Sequence, residues 1–466
     1  MSTWNFTDAA RGFVADSALA DKLHRATNLS LEKRDKVVAG LPQWEDLRQR
    51  ARQIKLHTLT HLDRYVEQFV AAAEQAGAVV HWAGDAKAAQ ELIVDIARRS
   101  GVQRVLKGKT MAGEEIEINR CLKDAGIEPV ETDFGEFICQ LAGRMPSHVT
   151  APIIEWSVED IQKLLAERGI ARGVASPGSA ESDRERVAAN LVAAARSYLR
   201  EKFLSAQMCI TGANFAVAES GVLVLIENEA NIRLSTTLTP IQIAIVGIDK
   251  LIPRLDDLGV FLTLLPVSAT GQRQTCYVSL IHRPLERLEI ILLDNGRTNL
   301  LADPEQFDLL SCIRCGACQN VCPVYRHVSG QAYGGIYGGP IGAVLQPHLG
   351  GTDRYGELPF ASSLCGACSD VCPVAIPLHE RLLEWRNRLT ADGRQPWMKR
   401  AAFRAWGWAM RHPLLYRRLR PPAEWLNEWG ANTPVGKAWS KTRELPGVAP
   451  ESFADWWRRT RGPADD

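Results

Sequence analysis

A run of four cysteines constrains this chain more than any other feature of its sequence. Residues 312–323 are C-I-R-C-G-A-C-Q-N-V-C-P, so Cys312, Cys315 and Cys318 are evenly spaced and Cys322 stands before a proline. This C-x2-C-x2-C-x3-C-P pattern is the bacterial form that holds a cubane iron–sulfur cluster. Three thiolates on a tight loop can reach three irons of one cluster, and the fourth cysteine serves a neighbouring cluster.

A second run, C-G-A-C-S-D-V-C-P, contains Cys365, Cys368 and Cys372 and repeats the end of the first run almost letter for letter. The repeat predicts a pseudo-twofold pair of 4Fe–4S clusters. By analogy with two-cluster ferredoxins, each run lends its last cysteine to the other cluster. The analogy assigns Cys312, Cys315, Cys318 and Cys372 to cluster 1, and Cys322, Cys365 and Cys368 to cluster 2.

The second run lacks one cysteine, because the position that matches Cys312 is Ser362. A serine oxygen, a remote cysteine, water or a substrate could complete cluster 2, and a three-iron 3Fe–4S cluster is a further alternative. Zinc is the competing metal, since pairs of C-x2-C bind it tetrahedrally through four thiolates. Seven cysteines fit one zinc badly, which favours the clusters.

The length, net charge and composition of the chain limit the classes of protein to which it can belong. A chain of 466 residues predicts two or three domains, and a net charge of +1 gives no indication of nucleic-acid binding. Its N-terminus lacks the basic and apolar segments of a secretory leader, and no apolar run reaches the length of a membrane span. These features predict a reducing cytoplasm, without a disulfide framework. The four other cysteines are expected to be buried small hydrophobes: Cys121, Cys139, Cys209 and Cys276.

Apolar periodicity predicts helices over residues 21–77 and alternating strands and helices after them. Such alternation indicates an α/β sheet with a parallel part. We expect an α/β domain over residues 76–300, and within it we predict a strand at Ile232–Ser235. The predicted organisation is a helical segment at 1–75, the α/β domain, a two-cluster domain at 301–394 and a tail at 395–466.

Three polar segments lie within the α/β region. Lys107 and the residues up to Glu115 stand at a strand-to-helix junction, which could bind an anion, although the two glutamates there also suit a helix start. Glu131, Asp133 and Glu136 could do acid–base work with His148, although turn chemistry explains Asp133 equally well. Asn214 and Glu219 flank an apolar segment that predicts either a pocket or a hairpin turning at residues 219–221.

The tail is crowded with tryptophan and arginine, including Trp406, Trp408 and Arg417. Both residue types anchor protein interfaces, and they also suit peripheral contact with a membrane surface. Self-packing or docking to a partner is favoured over the membrane, since no long basic helix with a clean apolar face is visible.

Several segments together resemble one known family. They are KGKTM-GEE, VETDFGEFI-QL, PSHV-AP, ITGANFAVAESG, NEANIR, LLDNGR and YGGIYGGPIGAVL, in this order and together with the two cysteine runs. This set is similar to the lactate utilization protein B family. The sequence departs from the usual family pattern at Gly108, Ala230 and Gln242.

The resemblance implies a LUD domain, related in fold to sugar-phosphate isomerases and 5-formyltetrahydrofolate cyclo-ligase, joined to a ferredoxin-type dicluster domain. It also implies a role with two partner proteins in the oxidation of L-lactate to pyruvate. We therefore expect an electron-transfer subunit of an oxidoreductase complex. The alternative is a LUD-domain enzyme acting on an acyl or carboxylate substrate, with Lys107, Asn214 and Glu219 as candidate site residues and the clusters supplying electrons.

Overall fold

Six parallel strands form the central sheet of the protein. In this computed structural model, which describes residues 4–174, 181–394, 397–412, 433–434, 437, 451 and 453–461, the strand order is β1-β10-β7-β4-β2-β3. The six strands are β1 (Val79–Ala83), β2 (Arg104–Lys107), β3 (Glu128–Glu131), β4 (Met208–Thr211), β7 (Ile241–Gly247) and β10 (Arg287–Leu293). The four inner strands are almost wholly buried, as expected for strands that are covered on both faces. The predicted parallel α/β sheet is confirmed.

A smaller sheet of four strands has the order β8-β5-β6-β9. Its strands are β5 (Phe215–Val217), β6 (Val222–Glu227), β8 (Leu251–Ile252) and β9 (Tyr277–Ile281). Strands β5 and β6 form an antiparallel hairpin, which turns through residues 218–221. The hairpin interpretation of the segment around Glu219 is therefore confirmed.

Helices cover both faces of the central sheet and continue beyond it. In the first part of the chain they are α1 (Phe6–Val14), α2 (Ser17–Ala39), α3 (Trp44–Thr60), α4 (Leu62–Gln75), α5 (Ala86–Arg99), α6 (Met111–Glu115), α7 (Ile118–Asp124), α8 (Phe134–Ala142), α9 (Val158–Glu167), α10 (Glu181–Ser205), α11 (Asn231–Leu238), α12 (Leu258–Thr270) and α13 (Arg297–Leu301). After the sheet come α14 (Ala317–Val321), α15 (Tyr325–Val328), α16 (Gly339–Leu349), α17 (Thr352–Tyr355), α18 (Ala367–Asp370), α19 (Leu378–Ala391), α20 (Trp397–Met410) and α21 (Phe453–Arg461). Short 3-10 helices lie at Ile248–Lys250, Phe307–Ser311, Gln331–Tyr333 and Leu358–Phe360.

Three apolar clusters hold the central sheet, one of which packs helices α8, α9 and α10 on strands β2, β3 and β4. On one side, Ile93 of α5 and Leu122 of α7 pack with strand residues such as Ile243. On the other, Phe69 of α4 packs with residues of both sheets, including Ile290 of β10. Burying a side chain of this kind contributes about 1.5–3 kcal/mol. The sheet is thus fixed between two helical layers, and its carboxyl edge is left to form a site.

One predicted strand is wrong, because Ile232–Ser235 belongs to helix α11. The two carboxylate oxygens of Glu227 accept the backbone N–H groups of Ile232 and Arg233, both at 2.8 Å. These hydrogen bonds satisfy free donors at the start of the helix. An acidic side chain from the end of β6 therefore starts a helix in a segment whose alternation of apolar and polar residues indicates a strand.

The chain divides into two compact units, Met1–Arg388 and Leu389–Asp466. In the second unit, α20 exposes Trp397, Trp406 and Trp408, and none of its residues is buried. Other residues of the predicted tail, among them Trp425, Trp429, Trp439, Arg417, Arg418 and Arg420, lie outside the described residues.

Gly221 tests the packing of the hairpin on α4. Gly221 has a φ of +67°, and a Cβ there would lie 2.6 Å from the Cα of Ala73. Gly101 has nearly the same φ, +65°, with open space around it. We expect Gly101→Ala to cost about 1 kcal/mol through backbone strain, and Gly221→Ala to cost about 1–3 kcal/mol more through overpacking. Equal losses in denaturation experiments would contradict this packing.

Candidate metal centre and adjoining cavity

The two cysteine runs have the same backbone conformation. Arg314 and Gly316 have φ values of +60° and +77°, and the equivalent residues fifty positions later, Leu364 and Gly366, have +55° and +86°. Each loop then enters a short helix, α14 or α18. Only a loop that must turn tightly uses the left-handed region twice within three residues. The repeat seen in the letters is therefore also a repeat of the chain's path.

The first position of each loop makes the same local hydrogen bond. The N–H of Arg314 donates to the sulfur of Cys312 at 3.4 Å, and the N–H of Leu364 donates to the hydroxyl oxygen of Ser362 at 3.1 Å. The serine oxygen thus occupies, in its own loop, the position of the Cys312 sulfur in the first loop.

Backbone N–H groups also reach the last cysteine of each run. Tyr325 donates to the sulfur of Cys322 at 3.5 Å, and Ile376 donates to the sulfur of Cys372 at 3.4 Å. Such donors favour the thiolate, which is the form that binds metal. All seven cysteines are free thiols. The donor set therefore suits iron–sulfur ligation.

Electrostatic effects show which cysteines lie close together in the first group. Burial, and then the charges of Cys312 and Cys372, raise the pKa of Cys315. Burial, and then the charges of Cys315 and Cys312, raise the pKa of Cys318. Thiols that influence one another in this way share one poorly solvated region. These four residues are the ones that the sequence assigns to cluster 1.

The remaining three cysteines form a second, adjoining group. Burial raises the pKa of Cys368 to about 12, and the charges of Cys322 and Cys365 add to the shift. The charge of Cys365 likewise raises the pKa of Cys322, after burial as the larger cause. Cys318 of the first group lies within electrostatic reach of Cys368, so the two groups are neighbours.

The two groups differ in their access to solvent. Cys315 and Cys318 are buried and Cys312 is half-buried, whereas Cys365 of the second group is exposed. The first group therefore lies inside the fold and the second opens to the surface. Of the four isolated cysteines, Cys139 and Cys209 are buried as predicted and Cys121 is half-buried. The same prediction is wrong for Cys276, which is exposed.

Helix α3 holds the second cysteine run through two arginines one turn apart. The Nε of Arg48 donates to the carbonyl oxygen of Cys372 at 2.8 Å, and Nη1 of Arg52 donates to that of Ala375 at 2.6 Å. Guanidinium groups form strong hydrogen bonds of this type because they carry a charge. The N-terminal helices thus position the second loop.

His148 contacts the first cysteine loop and does not form an acid–base pair with Glu131 or Glu136. Its Nε2 lies 3.1 Å from the Oδ1 of Asn320 in α14, and its Nδ1 accepts the N–H of Thr150 at 3.1 Å. Burial lowers the pKa of His148 to about 4, so the ring is neutral. The neutral ring connects the chain after α8 to the cysteine loop.

Lys107 lies among three carboxylates and is fully buried. Its ammonium nitrogen is 2.5 Å from Glu114, 2.8 Å from Glu131 and 3.8 Å from Glu136. The three carboxylates lie close enough together to hold a metal ion. The lysine already supplies a cation there. Lys107 is therefore neither the solvated residue nor the open anion site that its position in the sequence suggests.

Glu136 has an unusual environment within this cluster. It is buried, and neither of its carboxylate oxygens has a hydrogen-bond partner among the described residues. Burial raises the pKa of Glu136 well above its ordinary value, against the attraction of Lys107. The neighbouring Asp133 accepts the N–H of Glu136 at 2.9 Å and caps α8, which confirms its role in turn chemistry.

A cavity of about 290 Å³ lies where the carboxyl edge of the central sheet meets the first cysteine loop. Lys109 follows β2, Asn214 follows β4 and Lys250 follows β7, while Arg314 comes from the cysteine loop. Ligands of α/β proteins bind at this edge of a parallel sheet. Glu219 does not line the cavity, and its carboxylate instead accepts the N–H of Leu255.

Comparison with known proteins defines the class first. Residues 66–296 match the LUD domain, and residues 308–376 match the 4Fe-4S dicluster domain. The protein is therefore an iron–sulfur protein in which an α/β LUD domain precedes a dicluster domain, and iron–sulfur clusters are its cofactors. Residues 387–461 match the C-terminal domain of lactate utilisation protein B.

The chain belongs to the lactate utilization protein B family. Lactate utilization protein B of Bacillus licheniformis is 40% identical, with 90% of this chain and 89% of the relative covered. The protein of the same name from Shouchella clausii is 39% identical, with 97% of each chain covered. The uncharacterized electron transport protein YkgF of Escherichia coli is 37% identical, with 98% of this chain and 97% of the relative covered.

No helix in the described part of the chain has both the length and the apolar character that crossing a bilayer requires.

Sequence reasoning missed Arg314, Lys250 and Arg297, which surround the buried carboxylate of Asp249 beside the cavity. One signal was available, because Arg314 is a charged residue placed between two ligand-type cysteines. Lys250 and Arg297 gave no such signal, since each is brought to the site by a different strand end.

Replacing Glu136 tests its protonation. Because its folded pKa is raised above the ordinary 4.5, its contribution to stability is present below that pH and is lost as pH rises through the folded value. Glu136→Gln cannot ionise and should be more stable than the parent by about 1–3 kcal/mol at alkaline pH. The difference should shrink toward pH 4.5, as thermal melting at several pH values would show. Exposed Glu91→Gln is the control, and an equal effect of both variants would contradict the assignment.

Proposed function

We propose that this protein is the iron–sulfur electron-transfer subunit of a complex that oxidises L-lactate to pyruvate. Bound clusters accept and donate single electrons, and their reduction potentials depend on hydrogen bonds and exposure. The observation that carries the proposal is the adjacency of the two cysteine groups, one buried and one open to the surface. The names of the relatives, which include lactate utilization and electron transport, support it.

In this proposal, Cys312, Cys315, Cys318 and Cys372 hold cluster 1, and Cys322, Cys365 and Cys368 hold cluster 2. The backbone donors to sulfur and the tight left-handed turns favour thiolates in fixed positions. Ser362 lies at the position that matches Cys312, so its oxygen is one candidate for the fourth ligand of cluster 2. The chain's own task is to fix the thiolates, exclude water from the inner group and leave the outer group accessible.

The proposal also includes partner subunits that dock on this protein. Cys365 is exposed, so a redox partner that covers it can approach the second group closely. Docking through the tail stays a prediction, and the exposed tryptophans of α20 are the described residues that favour it.

The structure does not bring together the candidate residues of the enzyme alternative. Lys107 lies among carboxylates, Glu219 binds a backbone N–H outside the cavity, and Asn214 lines the cavity. These three residues therefore do not share one active site. The observation that favours small-molecule binding is the cavity itself.

Cys315→Ser tests the ligand set of cluster 1. The variant should lose about half of the iron and the matching part of the visible absorbance, because one of two clusters loses a thiolate. Cys209→Ser is the matched control, since Cys209 is also buried and is far from both runs in sequence. Full iron content in anaerobically purified Cys315→Ser protein would refute the assignment.

Ser362→Cys tests whether residue 362 can complete the three-cysteine ligand set of cluster 2. A thiolate placed where the serine oxygen lies should change the electron paramagnetic resonance spectrum of one cluster and leave that of the other unchanged. Ser363→Cys, one residue further on at an exposed position, should leave both spectra unchanged. Identical spectra for Ser362→Cys and the parent protein would exclude residue 362 from the cluster.

A further inference from the structure

Lys250 and Arg314 form a cationic wall of the cavity beside the first cysteine loop. Some of their hydrogen-bond donors have no acceptor in the chain as far as the structure describes it. The ammonium of Lys250 has no hydrogen bond among the described residues, and its nearest ion-pair partner is the Oδ2 of Asp249, at 3.9 Å. Arg314 shares that oxygen at 3.6 Å, and its buried Nε has no partner in the described part of the chain. Buried cationic donors without acceptors are rare, because desolvation without compensation is costly.

Apart from Asp249, the acidic residues of the cavity are engaged elsewhere, including Glu229, which accepts the N–H of Asn228 at 3.2 Å. Glu115 binds Arg297 at 2.9 Å and also accepts the hydroxyl of Tyr337. Both oxygens of Glu227 are taken by the N–H groups at the start of α11. Asp133 caps α8. Each of these carboxylates therefore has an internal partner, and the cationic wall remains able to accept an anion from outside.

The lining of the cavity also includes a neutral donor. The Oδ1 of Asn214 accepts the N–H of Ile226 at 2.9 Å, which fixes the orientation of the amide. Its Nδ2 has no hydrogen-bond partner among the residues that the structure describes, and Asn214 lines the cavity. The cavity that Lys250 and Arg314 line therefore also offers an amide donor that suits a hydroxyl or carbonyl oxygen.

We infer that this cavity is a binding site for a small carboxylate that carries a hydroxyl or oxo oxygen, with Lys250 and Arg314 binding the carboxylate and Asn214 the second oxygen. The volume of about 290 Å³ suits a small ligand. The inference deepens the proposed function, on which it rests for the use of the bound molecule. The binding itself follows from the donors described above.

The site also lies next to the first cysteine group. Arg314 stands between Cys312 and Cys315, and its Nη1 donates to the carbonyl oxygen of Cys312 at 3.2 Å. Its guanidinium lies over the ring of Tyr337, 4.9 Å from the centroid. A charge bound at Arg314 therefore acts on cluster 1 more strongly than on cluster 2, because electrostatic effects decline with distance.

Binding can be measured on the full-length protein, purified without air with its clusters loaded. The probes are L-lactate, pyruvate and inorganic phosphate, each titrated by calorimetry. We expect saturable binding of at least one of the two carboxylates, with phosphate weaker. The same titration should alter the electron paramagnetic resonance spectrum of one cluster only.

Two variants locate the site. Lys250→Met should weaken carboxylate binding by about tenfold or more, because it removes a charged hydrogen bond. Asn214→Asp keeps the acceptor for Ile226 but adds a negative charge, so it should also weaken binding. Lys87→Met, which removes an exposed lysine, is the matched control and should bind as the parent does.

Several results would overturn the inference. They are a lack of saturable carboxylate binding by cluster-loaded protein, binding that is unchanged in both site variants, and phosphate binding tighter than both carboxylates. Iron content measured on the same samples reports on the proposed function separately. Protein that retains both clusters but binds no carboxylate therefore overturns this inference alone.

Discussion

A single buried carboxylate, that of Asp249, connects the parts of the first unit. Asp249 lies in the short 3-10 helix that follows β7. Its Oδ1 accepts a hydrogen bond from Nε of Arg297 in α13, and its backbone oxygen accepts one from the ammonium of Lys55 in α3. Arg314 of the first cysteine loop lies 3.6 Å from its other oxygen. Removing one partner from a buried charge network is strongly destabilising. The N-terminal helices, the sheet and the cysteine loop therefore depend on the same charge balance.

This charge balance explains why the LUD sheet and the cysteine loops pack so closely in one unit. Around Asp249 stand two arginines and two lysines, all of them largely buried, and burial lowers the pKa of Lys55 to about 7. A cationic region of this kind beside thiolate ligands suits a negatively charged centre. It also gives the cavity its charged wall, so one arrangement supports both the cysteine loop and the cavity next to it.

Some of these features could be predicted from the sequence because they depend on residues that are close together in the chain. Cysteine spacing fixes a loop, and apolar runs fix buried strands, so both were predicted correctly. The helix at Ile232–Ser235 was missed because Glu227 starts it from outside the segment. Lys107 was misjudged because Glu131 and Glu136 approach it from another strand and helix. In each failure the deciding contact comes from a residue outside the segment concerned, and the pattern of the segment itself contains no direct record of that contact.

The exposure of Cys365 has a consequence for damage and repair. Oxidation of a thiol depends on how easily an oxidant reaches it, and Cys365 is the exposed member of the seven, while Cys315 and Cys318 lie inside the fold. Reactive oxygen species would therefore attack the outer thiol first and spare the inner group. Under the proposed function, a partner bound over Cys365 would then also shield the metal centre from oxidants, and the protein without that partner would be the form most open to oxidative damage.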